Sequence, residues 1–470
     1  MATEFFWMLK QELVVSAILF LLLVLKLGRD RSNTSILNTV NVLLLINFIY
    51  GCIGTPEGSI FNGMFETNTR IVLEKSMLNL AVWLLSMQAT AWLKDHKHVF
   101  EFYLLLLSTL LGMFFMISSA NLLMFYLGLE LSTIPLAAMV NFDLTRKSSS
   151  EGALKMIISS AFSSGLLLLG ISFIYGITGT LDYSALPGQL SLTPLTILSF
   201  VLLASGFAFK ISAVPFHFWT ADVYEGAPAP VTAYLSVVSK AAVIFTMVAF
   251  LYQVAQPMLK MVTPLLQILA LLSITIGNLF ALRQQNMKRF LAFSSISQVG
   301  FILLAMAGNS REGMAAILYF VLIYIFSNLA AFAVVTLVSA ATGRERIDDY
   351  KGFYQQNKFL SWVIAIALFS LAGVPPTAGF FGKFFLIFAG AGNAVLWVIV
   401  IAALNMVISF YYYLRVVKAI FMEANENPVT NLPVSFWPKL ALWISLAGIV
   451  LLGLIGHVYD HIFSLSTGPR

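Results

Sequence analysis

The chain has 470 residues, of which 10% are charged and 59% are apolar or aromatic, and its mean hydropathy is +0.90. A soluble chain carries about 25% charged residues, and even large soluble domains leave much of their area in water. This composition therefore excludes a soluble fold, intrinsic disorder, a disulfide scaffold and a free nucleic-acid binder. A net charge of +6 is too small to signal nucleic acid, one cysteine (Cys52) permits no internal disulfide, and five scattered histidines offer no zinc spacing. The expectation is an all-α polytopic membrane protein that carries no redox centre of its own.

A helix needs about 20 apolar residues to cross the hydrocarbon core. Fourteen runs meet that need, near 11–27, 35–53, 71–93, 99–117, 119–141, 152–178, 194–222, 228–254, 258–282, 287–308, 312–342, 359–392, 394–421 and 435–462. The first is followed by Lys26, Arg29 and Arg31 with no small-residue cleavage site, and reads as a retained span. Lysines and arginines divide unequally between the two sides. Loops after odd-numbered spans hold 18, and the opposite side holds 6 (Lys10, Arg70, Lys75, Lys260, Arg311 and Arg470). The positive-inside rule then puts the odd loops in the cytoplasm and both termini outside. No hydrophilic stretch exceeds about 20 residues, which leaves no room for a nucleotide fold or a Gly-rich phosphate loop. The energy source must lie on a partner or in an ion gradient.

Three basic residues remain, Lys210, Lys240 and Lys383, and all fall inside spans; Glu130 lies about midway along the fifth. An ionisable group at bilayer centre costs at least about 2.5–3.5 kcal/mol, so four of them point to a proton or ion path. Lysine suits that role, because burial can lower its ordinary pKa of about 10.4 by 3–5 units, which arginine does not allow. A pKa unit corresponds to about 1.4 kcal/mol, and a proton crossing 100 mV involves about 2.3 kcal/mol. A swing of about two or three units is therefore the size needed to work against a membrane potential.

Two of these lysines sit beside helix breakers. Pro215 and His217 follow Lys210, while Pro375, Pro376, Gly379 and Gly382 precede Lys383. Proline removes helix hydrogen bonds, and bare backbone at membrane depth persists only beside protein or water. Broken spans in corresponding positions indicate an inverted repeat with a polar site. Counted from the fourth span, the breaks fall fourth in each block of five, and an odd number of spans gives the blocks opposite orientations. The expected organisation is an N-terminal three-helix segment over 1–98, repeats over 99–256 and 257–422, and a last span over 423–470.

Weaker candidates for a proton relay are His217 after the first break, Lys155 at the start of the sixth span, Ser294 and Gln298 in the tenth, and Tyr324 in the eleventh. The tract Asp95–His98 reads as a solvated basic loop, and the Tyr411–Tyr413 run as interfacial or packing.

Several stretches together resemble a family: Glu151–Lys155, Lys210–His217, Asp222–Pro230, Ser239–Ala242 and Gly379–Lys383 are similar to the subunit N family of bacterial proton-pumping NADH-quinone oxidoreductase, or complex I. The resemblance implies an antiporter-like fold with spans four to eight and nine to thirteen as inverted repeats. It also implies a place in the membrane arm of a bacterial plasma membrane, beside antiporter-like subunit M and the subunit K/J side. By motif match, Glu130 and Lys210 become a coupled pair, Lys240 the central lysine and Lys383 the lysine of the second broken helix. Sister subunit M usually carries glutamate at that last site, and subunit L adds a long C-terminal lateral helix, whereas this chain ends at Arg470. Gln298 departs from the pattern, since many relatives carry histidine there. NADH, flavin mononucleotide (FMN), iron–sulfur clusters and quinone would belong to partner subunits, with no cofactor or metal in this chain. Two other readings stand beside it: a subunit of a multisubunit monovalent cation/proton antiporter, and a purely structural assembly subunit.

Overall fold

A computed structural model describes residues 2–28, 31–54, 56–392, 394 and 396–466. Arg29 and Arg470, both used in the loop charge count, lie outside them. The N-terminal part comprises α1 (Ala2–Met8), α2 (Lys10–Leu27), α3 (Asn33–Gly51), a hairpin of β1 (Gly58–Ile60) and β2 (Phe65–Thr67), and α4 (Thr69–Leu93). Next come α5 (Val99–Ile117), α6 (Leu122–Val140), α7 (Lys147–Thr178), α8 (Pro194–Ile211), α9 (Phe218–Gly226), α10 (Ala229–Tyr234) and α11 (Lys240–Gln253). A second series follows: α12 (Leu259–Arg283), α13 (Met287–Ala307), α14 (Arg311–Thr342), the short α15 (Phe353–Gln356), α16 (Lys358–Ala372), α17 (Ala378–Ala391) and α18 (Leu396–Met422). The chain closes with α19 (Phe436–Leu454) and α20 (His457–Leu465).

Each apolar run of the sequence coincides with one helix or with a broken pair. Among the described residues, 11 helices are long and apolar enough to cross a membrane, and the twelfth run forms two shorter apolar helices. Charged and polar residues keep α2 and α4 out of that set. Helix starts are set by polar caps: the side chains of Asn68, Asn121, Thr193, Asn286 and Ser310 each accept a bond from a first-turn backbone N–H.

The two series follow one plan. In each, two helices pack closely through glycines: a Cβ on Gly112 would overlap the Ser132 backbone of α6, and one on Gly277 the Ser297 backbone of α13. Small residues are what let helices approach in a bilayer, where lipid is as apolar as leucine. A 32-residue helix comes next in each series, α7 and α14, starting at 147 and 311. A broken span follows. The first, α8/α9, ends its leading half on Ser212 at φ 64 before the cis Val214–Pro215 bond; the second, α16/α17, ends on Gly373 at φ 87 before the cis Pro375–Pro376 bond. The core lies at the centre of the bundle. The apolar stretch of α13 is 100% buried, those of 229–253 and α14 94%, and that of the peripheral α7 39%.

Three features add to or depart from the sequence expectation. Within the expected helical fold, residues 58–67 add a small antiparallel hairpin in which Ile60 faces Phe65; Asn62-Gly63 at its tip, with φ of 56 and 85, is the turn chemistry that permits it. The run 435–462 is not one helix, because α19 stops at Leu454 and α20 starts at His457. Third, Lys10, Arg70 and Lys75 are not loop residues: they lie in α2 and α4 and are 3%, 8% and 2% exposed. Helical spacing turns them inward together with two acids, Glu12 and Glu74. Lys75 Nζ bonds Glu12 Oε1 at 2.5 Å, and Arg70 Nε lies 3.5 Å from Glu74 Oε1. The Lys75 ammonium also sits 4.8 Å from the Phe65 ring centroid, which ties the hairpin to α4. Glu12 and Lys75 thus clamp α2 to α4.

Removing one partner of such a pair leaves a buried charge without compensation. Lys75→Met is expected to destabilise the protein by about 3–5 kcal/mol, and adding Glu12→Gln to restore a large part of it. Denaturation of the purified protein in detergent measures both, and a Lys75→Met variant as stable as the parent would refute the clamp.

Candidate functional site

The three lysines named from the sequence occupy three irregular points of the bundle. Lys210 is in the last turn of α8, two residues before the left-handed Ser212. Its Nζ donates to Thr133 Oγ1 of α6 at 2.7 Å and to Ser160 Oγ of α7 at 2.9 Å. Glu130 lies one helical turn before Thr133, and its Oε1 is buried without a hydrogen-bond partner. No ion pair joins Glu130 to Lys210 among the described residues, so the two share a neighbourhood without a direct bond.

Lys240 follows a stretch, Leu235–Ser239, wound in the wider i→i+5 pattern that often marks functional positions. The side chain is 2% exposed; its Nζ donates to Ser295 Oγ of α13 at 2.7 Å and lies 5.5 Å from the Tyr224 ring centroid. Beside it Lys240, Ser295, Gln298 and Tyr324 border a cavity of ≈ 10 Å³, roughly the space of one water molecule. Tyr324 shares a hydrogen bond with Ser236 Oγ at 3.1 Å, and Asn328 Nδ2 donates to the same oxygen at 2.9 Å.

Lys383, on α17, is fully buried; its Nζ donates to Ala372 O at 3.3 Å and lies 5.4 Å from the Phe301 ring centroid. Gln298 reaches the same place, since its Nε2 donates to Leu371 O at 3.0 Å. Both acceptors are among the last carbonyls of α16, which the helix leaves unpaired and which carry its negative dipole end. Thus the break between α16 and α17 supplies the acceptors that hold Lys383, and α13 spans the gap from Lys240 (through Ser295) to that break (through Gln298).

The other expected residues divide. Ser294 bonds the hydroxyl of Tyr413, which also accepts from Gln298 Nε2 at 3.1 Å. Tyr413 therefore belongs to the polar network and not to an interfacial run; only Tyr411, 65% exposed, fits that description. Sequence spacing held a usable signal, because Asn405, Ser409 and Tyr413 recur every fourth residue on the buried face of α18. His217 is buried, its ring tilted against that of Phe218 at 4.5 Å, with Nδ1 unpartnered and no bond to Lys210 or Lys240. Lys155 is half exposed and paired, at 2.7 Å, with both Glu151 and Asp222. Asp222 in turn meets Arg289 at 2.8 Å, and Arg289 meets Glu225 at 2.8 Å. Lys288, in the first turn of α13, is fully buried and pairs with Glu345 at 3.0 Å. These ion pairs join α7, α9 and α13 across the two repeats. Among the described residues, no group of three or more His, Cys, Asp or Glu is placed to hold a metal.

A membrane-family profile described as NADH:quinone oxidoreductase/Mrp antiporter, TM, matches residues 119–409. The NADH-quinone oxidoreductase subunit N of Phocaeicola vulgatus is 44% identical over 453 residues, 96% of either chain. That of Azobacteroides pseudotrichonymphae is 44% identical over 419 residues, 88% of this chain and 87% of the other. A chain of respiratory complex I from Thermus thermophilus with bound aureothin has the same fold at a TM-score of 0.83 and 28% identity, over 97% of this chain and all of that one. A chain of the Mrp complex from Dietzia sp. shares the fold alone, with a TM-score of 0.83 and 18% identity over 99% of this chain and 97% of that one. The inward lysines, the paired helix breaks and these likenesses agree: the chain belongs to the NADH:quinone oxidoreductase/Mrp antiporter membrane family, within its NADH-quinone oxidoreductase subunit N branch.

Proposed function

We propose that this chain is the proton-translocating subunit N of a NADH-quinone oxidoreductase and moves protons along Glu130, Lys210, Lys240 and Lys383. The observation that carries this reading is Lys240: a buried cation at the bundle centre whose partner is a serine hydroxyl and not a carboxylate, with space for about one water beside it. A group so held exchanges its proton with a neighbour more readily than one locked in an ion pair. Repeat one (99–256) would contribute Glu130, Lys210 and Lys240, and repeat two (257–422) would contribute Lys383.

The route would enter by one half-channel, follow the lysines and leave by another. Ser295, the cavity water, Gln298 and Tyr413 would serve the step from Lys240 to Lys383, and Ser294 and Tyr324 would orient them. His217 would serve access beside the first break. Lys155, paired with Glu151 and Asp222, fits an anchor better than a relay. Energy would arrive from quinone reduction in neighbouring subunits, which would hold the NADH, FMN, iron–sulfur and quinone sites. Subunit M and the K/J side would be its membrane-arm neighbours in a bacterial plasma membrane, with both termini on the outer face. The multisubunit cation/proton antiporter reading is less favoured, because the Mrp chain of Dietzia sp. is only 18% identical while the subunit N of Phocaeicola vulgatus is 44% identical along 96% of the chain.

Replacing Lys240 with alanine in the assembled complex is expected to lower NADH oxidation and proton uptake together by about a hundredfold, the low side of what a positioned proton-transfer group contributes. Reduction of non-physiological electron acceptors should continue. Wild-type rates of both processes would make the lysine a packing residue and refute the route. A second test concerns Gln298, which alone on α13 bonds both Tyr413 and the α16 carbonyls. Gln298→Leu should depress coupled turnover several-fold with the complex assembled, and Gln298→His should retain most of it; equal activity of the three forms in membrane vesicles would remove Gln298 from the path.

A further inference from the structure

A groove of ≈ 410 Å³ opens between α1, α2 and the end of α3, remote in sequence from the lysine row. Its volume lies in the range of small-molecule sites. On α2 it is lined by Lys10, Leu13, Val14 and Ala17, the i, i+3, i+4, i+7 pattern of a single helix face. One cation thus stands at the head of an apolar strip that runs about 10 Å along the helix axis.

Lys10 is unusual among the buried cations of this part of the chain. Lys75 and Arg70 face carboxylates, but Lys10 does not: its Nζ donates to the backbone oxygens of Ile53 and Gly54, and no carboxylate is within ion-pair distance among the described residues. The residue is 3% exposed. A buried ammonium held only by carbonyl dipoles keeps a net charge that an anion in the groove would neutralise. The Tyr50 ring centroid lies 5.4 Å from Nζ, and the Trp7 ring lies 6.4 Å from that of Tyr50. Neither the Tyr50 hydroxyl nor the Trp7 N–H is hydrogen-bonded to another described residue. Tyrosine, tryptophan and lysine together are the composition of the headgroup level of a membrane. All three offer donors, and a phosphodiester offers only acceptors. Beyond the groove, α2 continues outward-facing with Phe20 70% and Val24 49% exposed, so the strip merges with a surface suited to acyl chains.

We propose that this groove binds one anionic phospholipid, its phosphodiester at Lys10, Tyr50 and Trp7 and an acyl chain along Leu13, Val14 and Ala17. The proposal does not rest on the proton-path reading, and its test reads no activity. The assembled complex is placed in phosphatidylcholine nanodiscs doped with phosphatidylglycerol that bears a diazirine on its acyl chain. A parallel sample carries the same tails on phosphatidylcholine. After irradiation, labelled peptides are mapped by mass spectrometry. Residues 13–17 should be labelled by phosphatidylglycerol about fivefold more than by phosphatidylcholine, the preference a single interfacial lysine gives an anionic lipid. Lys10→Met should erase the difference and Lys10→Arg keep it. Ala17→Phe, which fills the groove and leaves Lys10 in place, should abolish labelling by both lipids, and it carries the test if Lys10→Met does not assemble. Equal labelling by the two lipids, a Lys10→Met pattern like wild type, unaltered labelling in Ala17→Phe, or no label at 13–17 because a partner subunit covers the groove would each overturn the proposal.

Discussion

The structure depends on one constraint: a charged or polar group at membrane depth must find partners inside the protein. Lys210 finds two hydroxyls, Lys240 one hydroxyl, and Lys383 a carbonyl at the end of a broken helix. None of the three is locked to a carboxylate, unlike Lys75 and Lys288, which are. That difference divides the buried cations into two chemical sets. Those with carboxylate partners are tied to a fixed acid, whereas Lys10, Lys210, Lys240 and Lys383 have only neutral partners.

Backbone irregularity adjoins all three lysines, and for Lys383 it also supplies the partner. An unbroken helix satisfies its own carbonyls and offers none to a lysine. Ending α16 at Gly373 frees the carbonyls of Leu371 and Ala372, which accept from Gln298 and Lys383. The wider winding before Lys240 and the left-handed turn after Lys210 are the other two irregular points, and each again adjoins a lysine. The two series of helices repeat this device, joined at their centre by the fully buried α13, whose serines and glutamine touch both.

Stability and function are also separated in space. Small-residue contacts at Gly112 and Gly277 lock the α5/α6 and α12/α13 pairs, while the Asp222, Arg289 and Lys155 ion pairs fasten the partly exposed ends of α7, α9 and α13. Between these fixed layers lie the polar side chains of α11, α13, α14 and α18, packed with room for little more than a water molecule.

The sequence by itself determined the class of protein and the location of its spans, because hydrophobic runs at bilayer length admit few alternatives. It also determined the breaks, since Pro215 and Pro375–Pro376 cannot continue a helix, and it singled out Lys210, Lys240 and Lys383 as charges deep in apolar runs. Only the tertiary structure decided who meets whom. Glu130 and Lys210 share a motif but no direct bond, because Thr133 and Ser160 stand at the ammonium instead. Tyr413 read from the sequence as interfacial or packing and is a buried hydroxyl bonded to Ser294 and Gln298, which depends on the rotation of α18 in the bundle. Lys10, Arg70 and Lys75 sit near span ends, where sequence alone assigns charge to water; the packing of α2, α3 and α4 turns them inward. Their placement follows from which face of a helix a neighbour covers, and a single chain's linear order does not encode that until the helices pack.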